Sequence, residues 1–206
     1  MTSPRGSTDS SKVPADAWWF DRMAAAPSLS ALGELIGLGG DVSARGAAGS
    51  STTLLAGVVS RSALGPVLLV VPHLDDADEA VDELLDLGLD AAAFPALEVM
   101  PGESDASLDL VGVRLGLLRR VIEEEPPGII VAPFPGLMQG VPAAIDLPDR
   151  LRIIRAGDAL DLAEFSAWLT EAGWARTDVV ETPGEFAVRG GLLDLFPPGG
   201  GLPVRL

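Results

Sequence analysis

With 206 residues, 30 acidic against 14 basic side chains and a 48% apolar fraction, the chain can bury one sizeable core or two small ones. A formal charge of −16, a single lysine (Lys12) and no basic cluster denser than Arg150, Arg152 and Arg155 argue against direct nucleic-acid binding, which is driven largely by phosphate neutralisation. The absence of cysteine excludes a disulfide framework and cysteine-ligated zinc, and the one histidine, His73, leaves no material for a histidine-rich metal site or a histidine-based triad.

Residues 1–15 are rich in Ser, Thr, Pro and Gly and are expected to form a disordered tail. Trp18, Trp19, Phe20 and Met23 then make an apolar cluster, read as a first piece of core or as a short docking helix. Residues 28–38 and 52–63 have helical spacing, and Val67–Val71 is a continuous apolar run of the kind buried in a parallel sheet. His73 follows as a strand-end residue, after which residues 75–87 return to helical periodicity. The acids of that helix, Asp75, Asp76, Asp78, Glu79, Asp82, Glu83 and Asp86, read as its solvated face. Residues 91–94 predict a short strand, and residues 108–123 a helix with apolar side chains at 108, 111, 115, 118 and 122. Residues 129–132 predict a further buried strand. Such alternation argues for an α/β domain with parallel strands over residues 16–149.

A second, smaller α+β domain is expected over residues 150–206. Leu160, Leu162, Phe165, Trp168 and Leu169 predict a helix capped by Asp161 or a neighbour and closed at Gly173, followed by a strand near 177–182. Phe186, Ala187 and Val188 suit one strand, and Leu192, Leu193, Leu195 and Phe196 a second. Arg189-Gly190-Gly191 supplies the positive φ of a tight connection. Pro197 and Pro198 stop the second strand, and the glycines at 199–201 lead to Val204-Arg205-Leu206, which again has strand character. An arginine held at such a turn is suited to planar, multi-donor contact with a partner's carboxylates, and a solvated turn arginine is the plainer alternative. The apolar last residues lack the polar fraying of a natural terminus and suggest that the chain is truncated.

One segment invites an enzymatic reading. Gly46-Ala47-Ala48-Gly49-Ser50-Ser51-Thr52-Thr53 precedes a helical pattern and has the outline of a phosphate loop. It fails where a lysine should reach the β and γ phosphates and a glycine should precede it, because Thr52 and Ser51 stand there. No paired acids after an apolar strand are in place to hold magnesium. No apolar stretch reaches the ~18–20 residues that span a bilayer, and the amino terminus lacks a signal-peptide layout, so a cytoplasmic location is the default expectation.

The segment from Gly184 to Arg205, with Val131-Ala132-Pro133 and Gly136-Leu137-Met138-Gln139 upstream, resembles the amino-terminal UvrB-like module of the bacterial transcription-repair coupling factor family, most strongly over Glu185-Phe186-Ala187-Val188-Arg189-Gly190-Gly191-Leu192-Leu193-Asp194-Leu195-Phe196-Pro197-Pro198. UvrB carries a similar hairpin, but Phe94-Pro95-Ala96-Leu97-Glu98-Val99-Met100-Pro101 followed by Leu137-Met138-Gln139 is more like the coupling factor. The likeness extends back to about Leu54.

The resemblance implies a degenerate P-loop-like (UvrB-like) α/β domain with parallel strands, followed by a UvrB-interaction-type domain that docks UvrA, the damage-recognition ATPase of nucleotide excision repair. Carried over by position, Arg189 and Arg205 match arginines that contact UvrA, and Phe186 and Glu185 match positions near that surface. Strand packing for Phe186 and a solvated charge for Glu185 are the plainer alternatives. Gly46, Gly49, Ser51, Thr52 and Thr53 would be the degenerate phosphate loop. The resemblance further implies that RNA polymerase and DNA are engaged only through domains missing here, that ATP and Mg belong to the family's motor domains, and that no cofactor or catalytic residue belongs to this chain. It also implies that a carboxyl-terminal domain covers the docking surface in the intact protein. Three alternatives stay open: an amino-terminal portion of a UvrB, a nucleotide-binding α/β protein with a non-standard phosphate loop, and a stand-alone remnant without a repair role.

Overall fold

Strand and helix alternate much as the hydropathy pattern dictates, in a computed structural model that describes residues 18–98, 106–199 and 201–206. The tail expected over residues 1–15, and the motif residues Val99, Met100 and Pro101, lie outside the described residues. In chain order the elements are α1 (Trp18–Ala24), α2 (Pro27–Gly37), α3 (Ser50–Ser60), β1 (Val67–Val71), α4 (Leu74–Asp86), β2 (Ala91–Ala93), α5 (Leu108–Ile122), β3 (Ile129–Pro133) and α6 (Phe134–Leu137). A 3-10 turn (Ala144–Asp146) then leads to α7 (Leu147–Arg150), α8 (Leu162–Glu171), β4 (Ala175–Arg176), β5 (Glu185–Arg189), β6 (Leu192–Leu195) and β7 (Val204–Arg205). They fall into two compact units, and the fold is α/β with one parallel and one mixed sheet.

The first unit holds the chain up to Val71 together with Asp75–Ala93 and Pro127–Val131. Its sheet has the order β1-β3-β2, and β2 runs parallel to β3 with Ala91 opposite Ile129 and Ala93 opposite Val131. Leu69, Ile129 and Val131 meet Ala56 of α3 and Ala77, Ala80 and Leu84 of α4 in one core. Burial of side chains such as Leu84 and Ile129 contributes about 1.5–3 kcal/mol each. The acidic face of α4 is solvated as predicted, with Asp75, Asp78, Glu79, Asp82 and Asp86 exposed and the alanine stripe turned inward. Val67–Val71 departs from expectation. As an edge strand it buries Leu69 and leaves Leu68 and Val70 exposed, so the apolar run is not covered on both faces. The tryptophan cluster also divides: Phe20 is wholly buried against Val58 and Leu87, whereas Trp18 and Trp19 stay exposed.

The second unit holds Pro72–Leu74, Phe94–Pro126 and Ala132–Leu206. Its sheet has the order β4-β5-β6-β7, with β4 and β5 parallel and the rest antiparallel. The α8 helix is capped as predicted: Asp161 Oδ1 accepts from the N–H groups of Ala163 (2.9 Å) and Glu164 (3.0 Å). Its Phe165 and Leu169 pack on Phe186, Leu193 and Leu195 of the sheet. The strand predicted near 177–182 is instead β4, two residues earlier. After Thr177 N–H bonds the Phe186 carbonyl, the chain leaves the sheet, and Glu185 Oε2 gathers the N–H groups of Glu181 (2.7 Å) and Thr182 (2.9 Å) into a turn. The α5 helix braces the segments on both sides of the β5–β6 hairpin. A Cβ on Gly112 would lie 2.6 Å from Pro198 Cβ, one on Gly184 would lie 2.7 Å from Leu108 Cδ1, and Asp109 Oδ1 accepts from Gly199 N–H at 2.7 Å.

Candidate functional site

Strand alternation sorts the hairpin into two faces. Phe186, Val188, Leu193 and Leu195 form the inner face against α8, whereas Arg189, Leu192 and Asp194 belong to the outer one. Gly190 closes the two-residue connection at φ 62, as a II′-type turn requires at its first central position, and a side chain there would strain the backbone. The antiparallel register puts Arg205 of β7 opposite Asp194, which brings both arginines to the same face.

There Arg189 Nη2 donates to the Asp178 carbonyl. Arg205 makes a bidentate pair with Asp194, Nε to Oδ1 at 2.6 Å and Nη2 to Oδ2 at 2.8 Å. The hydrogen bond from Arg205, reinforced by the charges of Arg205 and Arg189, holds the Asp194 carboxyl below the usual carboxylate range. That same bond, with the Asp194 charge, raises Arg205 above the ordinary arginine value. The two arginines share an open depression of about 460 Å³ with Asp178, Asp194, Val179, Val180, Pro203 and Val204. Cationic donors beside exposed Val179, Leu192 and Val204 can engage a partner surface that offers carboxylates among apolar side chains.

Of the residues singled out in the sequence, Arg189 and Arg205 come together and the other two do not join them. Phe186 is wholly buried, packed with Phe165, Leu169, Leu193 and Leu195. A contact role for that ring is therefore replaced by packing beneath the face. Glu185 has one carboxylate oxygen committed to the 181–182 turn, and the two backbone N–H bonds lower its pKa below the usual glutamate value. Asp194 and Val179 went unassigned in the sequence. Asp194 was legible, since Leu193 and Leu195 facing inward force it outward beside Arg189. Val179 was not, because it sits on an irregular segment read as strand.

Arg114 was missed as well. It is buried on α5, donates from Nη1 to the carbonyls of Pro95 (2.8 Å) and Gly136 (3.2 Å) and to Gln139 Oε1 (3.2 Å), and lies over the Phe94 ring. Gln139 in turn bonds both the N–H and the carbonyl of Leu97. The Phe94–Leu97 and Gly136–Gln139 motifs are thus one structural clamp.

At the start of α3, Gly46 and Gly49 take positive φ values of 96 and 56. Residues 38–49 form no strand, so the helix is not entered from a sheet. Ala48 N–H donates to Ser51 Oγ at 2.7 Å, Ser50 Oγ donates to the Glu83 carboxylate, Thr52 is exposed and Thr53 is buried. Among the described residues, no cluster of His, Cys, Asp or Glu is placed to hold a metal ion, and no helix is long and apolar enough to cross a membrane.

Residues 153–206, which include the whole of this face, match the UvrB interaction domain family. The chain is 29% identical over 164 residues to the transcription-repair-coupling factor of Bacillus subtilis, covering 78% of this chain and 14% of that protein. It is 34% identical over 165 residues to the Mycobacterium tuberculosis factor, covering 76% and 13%, and 33% identical over 156 residues to the Escherichia coli factor, covering 75% and 13%. The chain is a relative of the amino-terminal region of transcription-repair coupling factors. It matches only 10–14% of the length of such coupling factors. All residues of the UvrB interaction domain match lie in the second unit, which also includes the α5 brace outside that match.

Proposed function

We propose that residues 150–206 are a UvrA-docking domain and that the chain acts in transcription-coupled nucleotide excision repair, recruiting UvrA to RNA polymerase stalled at DNA damage. The observation that carries this reading is the convergence of Arg189 and Arg205 on one exposed, stiffly braced face within the part that matches the UvrB interaction domain. Two fixed guanidinium groups among exposed apolar side chains have the composition of a hot spot for an acidic partner surface.

In this reading residues 16–149 are a degenerate nucleotide-binding domain that retains its α/β frame without catalysis or a cofactor. Thr52 in the lysine position and the Glu83 carboxylate at the start of α3 both support it. Engagement of RNA polymerase and DNA belongs to other parts of the full-length factor, and the setting is cytoplasmic.

The test is binding of the 206-residue chain to purified UvrA at moderate salt, followed by calorimetry. Saturable binding is expected, weakened about tenfold or more by Arg189→Ala with no change in melting temperature. A folded parent that fails to bind UvrA, or an Arg189→Ala variant that binds as the parent does, overturns the assignment.

A further inference from the structure

We propose that Asp194 is a positioning residue for partner capture: it holds the Arg205 guanidinium so that its free edge is presented, already oriented, to an acidic group of the partner. The inference rests on the docking reading above. It begins with the register. Leu193 and Leu206 exchange both backbone hydrogen bonds, at 3.1 and 2.8 Å, so the next pair, Asp194 and Arg205, is of the non-hydrogen-bonded kind in which facing side chains lie closest. The pairing of this aspartate with this arginine is therefore set by the sheet.

A guanidinium carries five N–H donors. Nε–H and one N–H of Nη2 are committed to the two oxygens of Asp194, which leaves the second Nη2 proton and both protons of Nη1. That remaining Nη1–Nη2 edge is itself a fork of the right geometry for a second carboxylate. Without Asp194, a side chain as exposed as Arg205, at 66%, would have to give up its rotamer freedom on binding.

The opposing effect is repulsion between Asp194 and the incoming carboxylate. It is limited because the Arg205 guanidinium lies between the two anions, and because the Arg189 charge also acts on Asp194, in a depression where two arginines balance Asp178 and Asp194. Ordering is expected to outweigh repulsion. Arg189 lacks an equivalent device: its Nη2 donates to a neutral carbonyl, that of Asp178.

The experiment measures binding to purified UvrA by the parent chain, Asp194→Asn, Arg205→Ala, the double variant and Asp194→Glu, with a thermal melt of each. Asp194→Asn should weaken binding roughly three- to tenfold, add nothing when Arg205 is already alanine, and be partly rescued by glutamate. Unchanged melting temperatures separate positioning from unfolding. If Asp194→Asn binds as tightly as the parent or tighter, repulsion dominates and the proposal fails while docking stands. If its loss persists undiminished in the Arg205→Ala background, Asp194 does not act through Arg205 and the proposal fails again. A parent that does not bind, or an Arg205→Ala variant without a defect, sinks the docking role of this face and the positioning role with it.

Discussion

Two glycine-punctuated segments reach opposite electrostatic outcomes in this chain. At the start of α3 the backbone turns through Gly46 and Gly49 as a phosphate loop would, yet two of its donors are already taken: Ala48 N–H by Ser51, and the Ser50 hydroxyl by the Glu83 carboxylate. At the hairpin, Gly190 makes a comparably tight connection, and the charges beside it, on Arg189 and Arg205, remain largely open to solvent. A glycine pattern conveys how the backbone bends. What that bend can bind depends on which side chains are free to face outward, and that is decided by neighbours distant in sequence.

The contrast is broken most forcefully from beneath the hairpin. Phe186 supplies the fully buried ring against which Phe165, Leu169 and Leu193 pack. Phe186→Ala should cost about 3–5 kcal/mol, read by chemical denaturation, and should abolish docking by unfolding the face. A variant that keeps its stability and still loses UvrA would instead mean that the ring is contacted directly. A smaller effect is expected at Glu185, whose carboxylate is held by two backbone N–H groups. Its folded-state pKa lies below the usual glutamate value, so the stability it contributes is present above the unfolded-state pKa and is lost as pH falls through the depressed folded-state value. Glu185→Gln should therefore melt lower than the parent at neutral pH and show a shallower acid limb, the two converging once the parent's carboxylate is protonated. Parallel acid limbs would show that the turn does not depend on the ionised form.

The hairpin, the Asp161 cap and the α/β alternation were legible because each is local, resting on period-two burial, a side-chain oxygen ahead of a helix, or a change of period. What escaped depends on long-range packing. Counting apolar residues on α5 pointed to 108, 111, 115, 118 and 122, yet Arg114 is buried, with carbonyls 19 and 22 residues away accepting from its Nη1, while Ile122 is exposed. The register that sets Asp194 against Arg205 depends on where β7 joins the sheet, and the open face of β1 depends on its place at the edge. Neither is written in the strands' own residues.

The smallest effect is expected where the two segments differ most in chemistry. Glu83, on α4, places its carboxylate against Ser50 at the start of α3, where the helix dipole favours a negative charge, so Glu83→Gln should lower stability by only about 0.3–1 kcal/mol. Its value lies in what it does not restore. Removing the carboxylate clears an anion from the position a phosphate would need, but Thr52 still stands where a lysine would reach the β and γ phosphates. Calorimetric titration with ATP and Mg should show no binding by the parent or by Glu83→Gln. A Glu83→Gln/Thr52→Lys variant asks whether charge alone was lost. Weak binding by that variant would mean that the loop kept its phosphate-binding shape and lost only the charge. Continued silence would point to the missing strand before α3, since the loop is then no longer held at the end of a sheet where a nucleotide could be gripped.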